Sequence, residues 1–164
     1  MSGGGGPGRG AGAPLIGIDL ISRRLDHLDP RTARYLACFA SVLARVAHAD
    51  AHVAQSERSE MARRIASLAE LDAAQADAVV MLAVDHTREL ATADRERVTG
   101  EFRSLSTPLQ RTELFFCLYA VASADGFISD HETREIDHIA DELGVARTPA
   151  SGIRADRRFV SPGG

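Results

Sequence analysis

The chain has 164 residues, a formal net charge of −4 and 45% hydrophobic residues, a size and composition suited to one globular domain. It has no Trp, six Phe and two Tyr, and it is rich in Ala and Leu, which favours helices over a sheet. Acidic and basic residues are mixed without a basic stripe, which argues against nucleic acid as the main partner, and the longest apolar run, 78–84, is far too short to span a membrane.

Residues 1–14 are mostly Gly and Pro and read as a disordered leader. They lack the basic-then-apolar pattern of a signal peptide, so the cytoplasm is the expected location. Cys38 and Cys117 are then expected to be reduced, as small buried hydrophobes without a CxxC partner.

From there the chain predicts helices over 16–27, 31–49, 56–69, 73–90, 93–105, 108–124 and 130–143. Leu36, Phe39, Ala40, Leu43, Val46 and Ala47 fall at helical spacing and define one apolar face. Leu114, Phe115, Leu118, Val121 and Ala122 define another. Start signals are frequent. Thr107-Pro108-Leu109-Gln110 and Ser129-Asp130-His131-Glu132 are capping boxes, the first with Pro at the opening helical position, and Asp72-Ala73-Ala74-Gln75 is a weaker third. Gly144 is a stop signal after Leu143. Residues 146–164 carry two Pro and several Arg and read as a weakly structured basic tail. The expected domain therefore covers 15–145.

One segment of this helical pattern occurs twice. Val46-Ala47-His48-Ala49-Asp50 through Glu57 and Glu60 returns 75 residues later as Val121-Ala122-Ser123-Ala124-Asp125 through Glu132 and Glu135. Under the same shift Phe39 matches Leu114, Leu43 matches Leu118 and Leu68 matches Leu143, so the repeat includes core positions. The expected architecture is all-α: a compact bundle of about seven helices, built from two helix-loop-helix units with linking helices. Packing of the two units about a pseudo-twofold axis would bring their loops together.

The repeated acids are the candidate site. Asp50 and Asp125 each end a helix, where the backbone carbonyls disfavour an anion, so each needs a compensating partner. A metal ion, an Arg or loop N–H groups would serve, and Arg45, Arg58 and Arg134 are close in sequence. Glu57 and Glu132 fall in the next helix's first turn, where an anion is welcome. Capping alone accounts for Glu132. Ala54 stands where Ser129 caps the second unit, yet Glu57 is retained, which points to a second role for the Glu. Asp and Glu seven apart do not make a calcium EF-hand. A divalent metal would need Asp50, Glu57, Asp125 and Glu132 pooled, with His48, His52 and His131 able to shift preference towards a transition metal. Structural loop closure and partner docking use the same residues without a metal.

No catalytic motif is present. His131-Glu132-Thr133-Arg134-Glu135 misses the zinc-protease HExxH at its last position. Glu135-Ile136-Asp137-His138 has the di-iron Glu-x-x-His form, but its repeat mate ends in Arg63. A metal-dependent hydrolase built on Glu135 and His138 is the weakest functional reading.

The stretches 46–50 and 121–132, followed by Ile139-Ala140-Asp141-Glu142-Leu143-Gly144-Val145, resemble the tellurite-resistance TerB-like family. The resemblance spans roughly 33–145. It implies an all-helical fold and a non-enzymatic module associated with resistance to tellurite and other chemical stress. It also implies metal binding at the acidic positions, which here match Asp50, Glu57, Asp125 and Glu132. TerB-like segments also occur joined to co-chaperone J-domains, so a protein-interaction domain with an unidentified protein partner is the alternative. In that reading the working surface is an apolar patch on 73–105. The family's Gly after the first Asp is Ala51 here, so the first loop departs from the pattern.

Overall fold

The computed structural model describes residues 15–50 and 52–145; the leader, the tail and Ala51 lie outside the described residues. Seven α-helices follow in order: α1 Ile16–Arg23, α2 Pro30–Ala47, α3 Gln55–Ala69, α4 Ala73–Glu89, α5 Thr92–Leu105, α6 Pro108–Ala122 and α7 Asp130–Leu143. Among the described residues there is no strand, and the fold is the expected all-α bundle.

The capping signals set the boundaries. Thr107, Asp72 and Ser129 each accept the backbone N–H of the third helical residue, and Gln110, Gln75 and Glu132 return the bond to the cap's own N–H. The Asp72 box, weak in sequence, is complete. Asp29 caps α2 ahead of Pro30. Gly144 closes α7 in the left-handed region at φ 71°. Glu70 closes α3 the same way at φ 55°, a stop that no Gly or Asn announces.

Two helices differ from expectation. The first stops at Arg23 rather than residue 27. Beyond it the chain turns through three-residue bonds, Arg24 N to Ile21 O and Leu25 N to Ser22 O. Leu25 is fully buried there, so it continues the apolar spacing without continuing the helix. The second was expected to bury one face. Instead every residue from Leu36 to Ala47 is buried, because α2 packs against all six other helices. Its off-face positions are small (Ala37, Cys38, Ser41, Ala44), which lets neighbours approach from all sides.

The core is closed by Tyr35, Phe39 and Phe102, with ring centroids 5.3–6.1 Å apart, and by Phe115 edge-on to Tyr119 at 5.9 Å. Arg34 ties α2 to Glu101 of α5 and Asp19 of α1. Gly17 lets α1 lie directly on the His86 ring of α4, since a Cβ there would stand 2.0 Å from the ring. None of the described helices is long and apolar enough to cross a membrane.

Candidate functional site

The loops between α2 and α3 and between α6 and α7 meet at their acidic residues. Glu57 and Glu132 each sit third in their helix and are 4% and 2% exposed. Each uses one oxygen to accept a loop N–H, from Ala54 at 2.9 Å and from Ser129 at 3.0 Å. Ala54 offers no side-chain cap, so α3 keeps only the Glu half of the capping box. The retained Glu57 therefore does serve its helix.

It also does more. The Glu57 carboxyl lies in hydrogen-bonding contact with that of Glu132, from the other loop. Burial first, then this contact and the charges of Glu132 and Asp125, push the Glu57 carboxyl up to about 8. A proton held between the two carboxyls relieves their repulsion.

The two Asp lie outside this buried pair, both exposed. Asp50 ends a short 3₁₀ turn, His48–Asp50, and accepts a 2.8 Å bond from the Ser129 hydroxyl of the opposite loop. Asp125 accepts the N–H of Phe127 at 3.1 Å, which folds its own loop. Asp125 thus takes a loop N–H, one of the three kinds of partner expected for it. Asp50 takes a cross-loop hydroxyl, which sequence spacing had no means to indicate. Gly126, at φ 91°, lets the second loop turn directly after its Asp.

The basic residues near these loops in sequence are used elsewhere. Arg45 is 5% exposed and reaches α7, holding Glu142 through two 2.7 Å bonds and pairing with Glu135. Arg58 contacts Gln55 and Arg134 contacts His131. His48 points its Nε2 at the Val84 carbonyl, 2.8 Å away, and burial lowers its pKa. His52 is exposed. Among the described residues no ion pair reaches the four acids, and no three of His, Cys, Asp or Glu stand close enough to hold a metal ion.

The Glu-x-x-His near-miss resolves in the same way. Glu135 is bound to Arg45, and its repeat mate Glu60 pairs with Arg63 and Arg64, each at 2.7 Å. His138 is exposed.

The apolar surface also differs from expectation. On 73–105 Met81 is the one large exposed hydrophobic among the described residues, because Val79, Val80, Val84, Val98 and Phe102 all turn inward. Exposed apolar side chains stand instead on α1, α3 and α6 and at Phe127, the tip of the second acidic loop, which is 69% exposed. Leu68 and Phe116, with Tyr35 and Cys117, line a groove of about 330 Å³ between α2, α3 and α6.

Fold and loops together define an all-helical module with two joined acidic loops. Residues 36–155 match the family of tellurite resistance protein TerB, and the chain belongs to that family. No curated protein and no solved structure gives a significant match.

Proposed function

We propose that this chain is a non-enzymatic, tellurite-resistance-type stress-response module that works by binding, with the joined acidic loops as its working surface. The observation behind this reading is the contact between the buried Glu57 and Glu132 carboxyls. Like charges so placed need a proton or a cation between them. An all-oxygen donor set suits a hard divalent cation. Glu57 and Glu132 would be its inner pair, with Asp50 and Asp125 the nearest loop carboxylates. Two inner carboxylates with no third in reach suit an ion that keeps most of its water, as magnesium does. Bound there, the ion would neutralise the acids and hold the two loops together.

Thermal melts test this with EDTA, then with added magnesium, calcium, manganese or zinc. A ligand held only by the folded state raises the melting temperature. The rise should vanish in Glu57→Gln/Glu132→Gln and weaken in Asp50→Asn/Asp125→Asn. No rise with any ion would leave the acids as loop-closing structure.

A second reading has its own observation. Phe127 stands exposed between Asp125 and Asp130, an apolar tip in an acidic rim, which suits a protein partner with a basic-flanked apolar segment. Partner capture lost in Phe127→Ser, but kept without all four site carboxylates, would favour docking over metal binding.

A further inference from the structure

The groove between α2, α3 and α6 holds apolar surface that the described helices leave uncovered. Leu68 and Phe116 are 45% and 50% exposed there, beside Tyr35, Phe39 and Cys117. Large apolar side chains gathered on one cleft mark a place for a partner.

Three observations name the occupant. The chain leaves the described helices close by. Gly144 lies so near the Arg103 side chain that an added Cβ would stand 3.1 Å from it. Phe102, the neighbour of Arg103 in α5, stacks on Tyr35 of the groove with ring centroids 5.3 Å apart. From Val145 to Ile153 an extended chain reaches about 26 Å, more than twice the width of a helix.

The family match also continues past α7, to residue 155, so the sequence after Val145 belongs to the domain's pattern. Composition is the third observation. Ile153, Phe159 and Val160 are the large apolar residues after Val145, and they stand among Arg154, Arg157 and Arg158. Residues 146–164 carry three more basic than acidic residues, whereas residues 15–145 carry eight more acidic than basic. Opposite net charges keep the tail close to the helices. Within the groove Arg63 and Arg64 are already held by Glu60. Glu113 is exposed and has no ion pair among the described residues, so it is the carboxylate left for an arginine of the tail.

We propose that residues 153–160 of this same chain fold back into the groove, with Ile153 and Phe159 covering Leu68 and Phe116 and one of the tail arginines meeting Glu113. The tail then closes this apolar face, and any other partner must displace it.

Tryptophan fluorescence tests this in the full chain. The sequence has no Trp, so Phe159→Trp, or Ile153→Trp as a second reporter, places a single indole in the tail. Docking predicts blue-shifted emission and several-fold protection from acrylamide quenching, both unchanged on dilution. Phe116→Ser and Leu68→Ser remove apolar surface that is already half exposed, so the helices should keep their circular dichroism. Each should move the emission towards that of the urea-unfolded protein, and Glu113→Gln should reduce the protection. Indoles as open to acrylamide as in the unfolded protein, for both reporters, would overturn the proposal. Protection that survives both groove substitutions would do the same by placing the tail elsewhere. Protection that fades on dilution would make the occupant a second copy and overturn it as well.

Discussion

Among the described residues two places bury charge, and they do so in opposite ways. Arg45 is nearly inaccessible but meets two carboxylates and a hydroxyl, so opposite charges offset its loss of water. Glu57 and Glu132 are as deeply buried, but each faces a like charge. The first arrangement locks α2, α5 and α7 together. The second relies on a proton between the carboxyls, which the cation proposed above would replace. A helix bundle has no stability reason to press two carboxyls together when a Gln would serve one of them better. The Arg45 cluster therefore reads as framework, and the Glu pair supports the binding role proposed above.

The sharpest way to break this contrast is to remove Arg45. Arg45→Met leaves Glu135 and Glu142 facing each other without their cation. Losing one partner of a buried ion pair costs about 3–5 kcal/mol. Both Glu keep partial access to water, so about 3 kcal/mol is expected in urea unfolding. A loss below about 1 kcal/mol would make the clamp incidental.

Next is the shape of the second loop. Gly126→Ala puts a Cβ at φ 91° with no heavy atom within 4 Å, so its whole cost is backbone strain. That cost is about 1–2 kcal/mol. A neutral Gly126→Ala would show that this turn adapts freely.

The Glu pair itself should respond in the opposite direction. The folded carboxyl of Glu57 titrates near 8, above the ordinary carboxylate range of the unfolded chain. Between those limits the folded state holds a proton that the unfolded state has released. Stability in EDTA should therefore be greatest at acidic pH and fall as pH rises from about 5 towards 8. Glu57→Gln keeps an acceptor for Ala54 and a donor for Glu132, so it should flatten that slope and stabilise the protein at pH 8 by about 1 kcal/mol. A Glu57→Gln protein that is less stable than wild type at pH 8 would make the pair ordinary framework.

Much of the frame was legible because its signals are local. Caps at Asp72, Thr107 and Ser129 and the stop at Gly144 involve residues within one turn of each other, and helix starts and ends follow them closely. The helix expected to reach residue 27 stops at Arg23, where the chain turns and buries Leu25 from outside the helix. All four acids were visible in the repeat, but their division of labour was not. Which carboxyls touch depends on how α3 and α7 approach, and Asp50 finds its partner 79 positions away. The Arg45 clamp was missed for the same reason, since its carboxylates lie 90 and 97 residues downstream. The one available hint was an Arg inside the apolar stretch 36–47, which must find a counter-charge if that helix is central.

The smallest effect separates joined loops from merely adjacent ones. Ser129 caps α7 and also donates to Asp50 across the gap. Ser129→Ala removes both interactions, whereas Thr107→Ala removes a similar cap with no cross-loop bond, and each cap is worth about 1 kcal/mol. A double-mutant cycle of Ser129→Ala with Asp50→Ala cancels the cap and isolates the link. The bond is exposed, so a coupling of about 0.5 kcal/mol is expected. If a divalent ion binds the acids, the same cycle run with saturating ion should give a different coupling, because Asp50 then has a second partner to satisfy. Identical couplings with and without the ion would place Asp50 outside the binding site, leaving Glu57, Glu132 and Asp125 to carry it.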